Sequence, residues 1–350
     1  MRKFLILVLI LFIILAVLGG WLFKIIFVSQ KGEGIVKNFI VAQGAGASEI
    51  SQELKNQELL DNSFIFKALI WLKKSENKIK AGEHKIQDNW SLNKLINVLI
   101  SGSSIENEMN IIIIEGWDLR DIGYYLEDQG IAKAEEFWDI VGYPAIDYNR
   151  NLDLSRPIDF SQDYEFLKDK PKNISLEGYL FPDTYRIFKN SSVEVIVKKM
   201  LDNFNNKISD EMLEEIKVQG KTLHEILTLA SIIEKEARQP EDKKRVAGVY
   251  YNRLKINMAL QADPTANYVT GKKIDRPSLD DIGSDNPYNT YKYPGLPPGP
   301  ICNPGLDSIR AAIYSEKNDY YYFINTPAGD MIFAKNFEEH KQNRLRYFNN

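Results

Sequence analysis

The pattern of apolar and polar positions changes character along the chain. Met1-Arg2-Lys3 is followed by twenty uncharged, mostly aliphatic residues from Phe4 to Phe23. A helix of that length matches the hydrocarbon thickness of a bilayer. Gly19 and Gly20 leave open a cleaved signal peptide, but Trp21, Leu22 and Phe23 carry the run past them with no A-x-A pattern, which favours an uncleaved anchor. Arg2 and Lys3 predict a cytoplasmic N-terminus and put the rest of the chain outside the cytoplasm. From about residue 35, β-branched runs alternate with helical spacing. N-F-I-V-A at 38–42 predicts a strand, and Ser48 stands ahead of a helix carrying Ile50 and Leu54. Further helices are expected over 193–204, 209–218, 222–238 and 245–254. Residues 145–175 lack periodicity and read as a connector, and L-E-G-Y-L-F-P-D-T-Y-R-I after it reads as extended and partly buried. The stretch 260–305 holds eight of the fourteen prolines and reads as loop. The segment D-Y-Y-Y-F-I-N-T-P-A-G-D-M-I-F-A predicts a β-hairpin, and Asn336 is placed to cap a last helix. The class is α+β.

A weak internal repeat lies in the first half. Ile122, Leu126, Gln129 and Ile131 recur at the spacing of Ile50, Leu54, Gln57 and Leu59, and W-S-L-N-K-L at 90–95 echoes W-D-L-R-D-I at 117–122. Each unit resembles the strand-turn-helix half of a LysM-like module, a small fold that grips glycans. The plain alternative is that any amphipathic helix after a strand has this look.

Composition narrows the partners. The chain has 350 residues, 44% hydrophobic and 26% charged, with a net charge of -4. That balance argues against a nucleic-acid surface. One cysteine, Cys302, forms no internal disulfide, so the exported part is stabilised by its core alone. The three histidines, His84, His224 and His340, lie far apart, and Thr228 stands where a zinc-protease helix starting at His224 needs its second histidine.

The sharpest chemical signal is A-S-I-I-E-K-E-A at 230–237. At about 100° per residue, Glu234 falls in the apolar stripe of Leu223, Ile226, Leu227, Ala230 and Ala237, and Glu236 lies roughly opposite, beside Leu229 and Ile232. Both carboxylates are expected to be covered, which raises a carboxyl pKa unless donors or a cation compensate. Either glutamate has a plain alternative: a structural carboxylate for Glu234, a solvated last helical turn for Glu236.

The motifs L-A-S-I-I-E-K-E-A, V-A-G-V-Y-Y-N-R-L, L-Q-A-D-P-T, N-P-Y-N-T-Y, G-L-P-P-G-P-I-C-N-P-G and E-G-Y-L-F-P-D-T-Y occur in one chain. Together with the apolar N-terminus and K-A-G at 80–82, they resemble the endolytic murein transglycosylase family (YceG-like). The resemblance implies cleavage of the β-1,4 bond between N-acetylmuramic acid and N-acetylglucosamine, leaving a 1,6-anhydromuramoyl end. It implies Glu236 as the catalytic acid and Glu234 as a supporting residue. Gln261, Asp263, Asn289, Tyr291, Glu177 and Tyr185, all in family motifs, become candidates for substrate binding. Asp263-Pro264-Thr265 also reads as a helix start, and Asp263 as a second carboxylate would make a hydrolase instead. The implied layout is a cytoplasmic tip and transmembrane anchor (1–29), a LysM-like region (30–145), a connector (146–175) and a mixed α+β catalytic domain (176–350). The expected setting is the cell (inner) membrane, single-pass, with peptidoglycan glycan strands as substrate and glycan polymerases as partners. No metal or organic cofactor is implied. A non-catalytic, membrane-anchored glycan-binding scaffold is the competing reading.

Overall fold

The computed structural model describes residues 19–21, 23–28, 32, 34–102, 108–151, 153–189, 191–274 and 276–348. The chain divides into two compact units, Met1–Met109 and Asn110–Asn350. The architecture is mixed α+β, many helices with three two-stranded sheets among the described residues. The predicted anchor lies almost entirely outside the described residues. Among those described, no helix is long and apolar enough to cross a membrane.

In the first unit, strand β1 (Val36–Val41) pairs antiparallel with β2 (Gly82–Gln87), in a register that sets Phe39 opposite His84. Helices α1 (Ala47–Asn56) and α2 (Ser63–Leu72) lie between the strands in sequence, and α3 (Leu92–Ser101) follows. Alternation along β1 turns Phe39 and Val41 inward, where they meet Ile50, Leu54, Phe66, Ile70, Ile86 and Leu95. Helix α1 starts one residue before Ser48, with Gly46 as a cap that offers no side chain. Asn62 caps α2 by accepting from the backbone N–H groups of Phe64 and Ile65.

The second unit opens on the same order of elements. Strand β3 (Glu108–Ile112) is followed by α4 (Leu119–Asp128) and α5 (Ala134–Val141), and the partner strand β4 (Thr184–Phe188) comes only after residues 142–183. The sequence repeat is real at the level of helix ends. The N–H groups of Glu58 and Leu59 return to Lys55 and Leu54, and those of Gly130 and Ile131 return to Glu127 and Leu126. Both are Schellman closures, with Glu58 at φ 59° and Gly130 at φ 66°. The W-S-L and W-D-L echo marks two N-caps, Ser91 and Asp118.

Helices α6 (Val193–Lys207), α7 (Asp210–Val218), α8 (Leu223–Glu236) and α9 (Pro240–Lys255) then run in series. A capping box between Thr222 and Glu225 starts α8. It ends where Ala237 turns extended, three residues before Pro240 begins α9. Helix α8 is the centre of the unit, packed by α7, α9, α10 (Asp263–Thr270) and α12 (Leu306–Ile313). Leu227, Leu229, Ala230, Ile232 and Ile233 are all buried, so it is covered on both of its apolar faces, as its sequence predicts. The short α11 (Leu279–Ile282) punctuates the proline-rich stretch. The predicted hairpin is β5 (Tyr322–Asn325) with β6 (Met331–Ala334), and α13 (Phe337–Phe348) packs on it after its Asn336 cap.

Candidate active site

Glu236 is the last residue of α8, held from two sides. The Tyr250 hydroxyl, from α9, donates to its Oε1 at 3.0 Å. Asn325 of β5 donates to its backbone carbonyl at 3.2 Å. Tyr250 is itself buried and packs edge-on against Phe323 of the hairpin. Burial pushes the Glu236 carboxyl from its ordinary 4.5 up to about 7; the Tyr250 hydrogen bond opposes this, the Asp263 charge adds to it, and Arg253 opposes it. This carboxyl is half protonated near neutral pH, the condition a general acid needs.

Arg253 lies one turn beyond Tyr250 on α9. Its guanidinium donates to the carbonyls of Tyr321 (2.6 Å), Leu260 (2.7 Å) and Ala259 (3.4 Å) and lies over the Tyr322 ring. Backbone carbonyls thus hold this buried cation in place, tying the start of the hairpin to the segment before Gln261. Gln261 adopts φ 46°, and its side chain is exposed. Its N–H donates to Thr290 O at 3.1 Å, and the Ala262 N–H donates to Thr290 Oγ1 at 3.0 Å. Asp263 is not the cap of α10. Ala262 holds that position, and the Asp263 carboxylate accepts from the Tyr291 hydroxyl instead. The Tyr291 phenol is raised by burial first, then by that hydrogen bond and by the charges of Asp263 and Glu236. Glu236, Tyr250, Arg253, Asp263 and Tyr291 therefore form one electrostatically coupled group.

Three predicted binding residues do not join it. Asn289 has no exposed surface; its amide donates to the carbonyls of Ile282 and Ser284 and accepts from the Tyr291 N–H. It braces the loop that presents Tyr291 and has no free group for a sugar. Glu177 is buried beneath the unit's surface, accepting from the Leu119 N–H, the Tyr268 hydroxyl and the Asn303 amide. Burial drives its carboxyl well up, with Asp118 adding to the effect. Tyr185 donates to Phe181 O at 2.5 Å and accepts from Asn203, a buried tie between β4 and α6. The E-G-Y motif is thus scaffold. Gly178, at φ 86°, lies so close to Pro300 that a Cβ would sit 2.5 Å from it.

Glu234 is a supporting residue in a definite sense. It pairs with Lys243 at 3.2 Å, with side chains 10% and 5% exposed. It also accepts from the Gly305 N–H at 3.0 Å and the Ser308 hydroxyl at 2.6 Å. The carboxylate therefore sits at the N-terminus of α12 and joins α8, α9 and α12. Tyr250, Arg253, Lys243 and Asn325 escaped the sequence reading as site residues. A signal existed: Lys243, Tyr250 and Arg253 fall at i, i+7 and i+10 on one face of α9.

The YceG-like family model matches residues 39–346. The endolytic murein transglycosylase of Bacillus subtilis (strain 168) is 32% identical over 319 residues, covering 91% of this chain and 86% of that protein. The protein of the same name from Streptococcus pneumoniae (strain D39) is 30% identical over 335 residues, covering 88% of this chain. The chain spans 58% of that longer relative's length. The 2.6 Å crystal structure of a yceG-like protein from Listeria monocytogenes matches with TM-score 0.57 at 32% identity, over 89% of this chain and 99% of that one.

Proposed function

The chain belongs to the YceG-like family, and from that premise we propose that it is an endolytic murein transglycosylase with Glu236 as its single acid and base. One observation carries the reading: a partly covered carboxyl at the end of α8 titrates at about 7 and has a phenol, not a cation, as its hydrogen-bond partner. Such a group gives up a proton at neutral pH and takes one back.

Glycosidases that use water need two carboxyls. Here the nucleophile comes with the substrate. Glu236 protonates the glycosidic oxygen as the bond from C1 of the muramoyl residue breaks. The C6 hydroxyl of the same residue then attacks C1, and its proton passes to the Glu236 carboxylate. The enzyme is restored, no water is consumed, and the product ends in a 1,6-anhydro ring. Intramolecular attack removes much of the entropic cost of bringing reactants together. The Asp263 charge, oriented by Tyr291, serves the cation that develops at C1. Gln261, with an exposed amide, serves an N-acetyl group.

The apolar run Phe4–Phe23 serves as a single-pass anchor with the N-terminus in the cytoplasm and the catalytic domain outside. The β-α-α-β order of the first unit supports a LysM-like glycan grip across 30–145, with 146–175 as connector and 176–350 as catalytic domain. Anchoring keeps the acid near nascent strands, beside the polymerases that extend them.

The test is mass spectrometry of uncrosslinked, membrane-linked glycan after incubation with the protein. Internal products one water lighter than hydrolysis products, lost in Glu236→Gln, are expected. Reducing ends would shift the chemistry to a two-carboxylate mechanism using Asp263. Binding without cleavage would favour a scaffold.

A further inference from the structure

Helix α2 (Ser63–Leu72) is apolar on two faces, and the fold uses only one. Ile65, Phe66 and Ile70 are buried in the core of the first unit. On the outer face, Phe64, Trp71 and Leu72 are 76%, 69% and 70% exposed, with exposed Ala68 between them. Positions 64, 68, 71 and 72 form one stripe, so the exposure is a continuous ridge. Large apolar ridges on a folded surface mark an interaction site. The rim is basic on balance: Lys67, Lys73, Lys74 and Lys78 are exposed, against the exposed carboxylates of Asp61 and Glu76. Lys73 donates to the neutral amides of Asn93 and Asn97, so its charge is not cancelled. Two such ridges from two copies would set lysine against lysine. An indole, a phenyl and a leucyl side chain ringed by lysines match the boundary between anionic headgroups and acyl chains.

The N-terminal side of the unit leads to the same partner. Ile25 and Ile26, just past the apolar run of sequence, pack on the core cluster that α2 also covers. Trp21, Phe23 and Phe27, in the helical residues just before, remain exposed.

We propose that the outer face of α2 is an interfacial membrane-binding surface, which lays the first unit against an anionic bilayer with Phe64, Trp71 and Leu72 below the headgroups and the lysines among them. It is a second, peripheral contact, separate from the anchor. It would orient the unit and not merely tether it.

The full chain is reconstituted in vesicles of phosphatidylethanolamine and phosphatidylglycerol, with and without acyl-brominated lipid. The difference in tryptophan emission between the native chain and Trp71→Phe isolates this indole. Brominated acyl chains are expected to cut the Trp71 emission to about half or less, and Lys73→Glu with Lys74→Glu to restore most of it. Vesicle flotation of the same samples reports separately on the anchor. Trp71 emission untouched by brominated lipid but quenched by iodide would overturn the proposal, leaving the face in water. Protection from both quenchers would also overturn it, assigning the face to protein contact. So would quenching that the lysine reversals leave unchanged, because the charge argument would then fail.

Discussion

Two glutamates two residues apart on α8 meet opposite surroundings on its two faces. On one face Glu234 meets Lys243, the Gly305 N–H and the Ser308 hydroxyl, and is a fully compensated anion that joins three helices. On the other, the Glu236 carboxyl accepts from the Tyr250 hydroxyl and burial pushes it towards neutrality. Both partners come from α9, seven residues apart on one face of that helix. The side chain is the same; a lysine pairs with one and a phenol with the other, and only the second carboxyl is pushed towards neutrality.

The comparison can be broken most severely at Glu236. Glu236→Gln is expected to lower the cleavage rate by about 10²–10⁴-fold, measured by release of anhydro ends. The same change should stabilise the fold at pH 8. The folded pKa of about 7 lies above the ordinary 4.5, so burial of this carboxyl costs nothing below about pH 4.5 and costs progressively more up to about pH 7. Removing it should recover about 2 kcal/mol, discounted for partial exposure, read from denaturant midpoints at pH 4 and pH 8. A chain less stable at pH 8 after the substitution would contradict the assignment.

Glu234→Gln should act the other way. It strands the buried Lys243 charge, for which a loss of about 3–5 kcal/mol in unfolding free energy is expected. Adding Lys243→Met should return much of that stability, because the uncompensated charge is gone. Tyr250→Phe is a smaller change. Leaving the Glu236 carboxylate without its donor should cost about 1–3 kcal/mol in the ionised state. The carboxyl pKa then rises, so the descending limb of the kcat/KM profile moves to higher pH while the rate falls. A limb that stays in place would remove Tyr250 from the acid's control. The smallest effect is expected at Gln261→Ala, a severalfold rise in KM, worth about 1 kcal/mol, with an unchanged melting temperature.

A second pair of regions shows what local sequence conveys. The repeated Ile-x3-Leu-x2-Gln-x-Leu/Ile pattern was legible because it encodes a helix end closed by its own backbone, and both copies form it. The Asn336 cap and the hairpin at 322–334 were legible for the same reason, whereas Ser48, expected ahead of the first helix, lies inside it behind Gly46. What differs between the copies was not. The first closes its strand pair soon after α2 and leaves the outer face of α2 bare. The second delays its returning strand until residue 184, and that excursion carries Glu177 into a buried network with Asn303. A motif glutamate, an asparagine and a tyrosine looked like sugar ligands because their types suit that task. Glu177 is instead used up by donors far away in sequence, Asn289 by the backbone of its own loop, and Tyr185 by Phe181 and the α6 residue Asn203.

The sequence by itself determined α6, α7 and α8, the terminal hairpin, the faces of α8 that separate Glu234 from Glu236, and the motifs that mark the family. All of these follow from spacing within a few turns of chain, where backbone geometry fixes which side chains are neighbours. Tertiary structure alone decided which glutamate received a lysine and which a phenol, which polar motif residues stay exposed, and which apolar ridge stays uncovered. A carboxyl's pKa depends on burial and on charges brought together across long stretches of chain, and those distances exist only once the helices have packed.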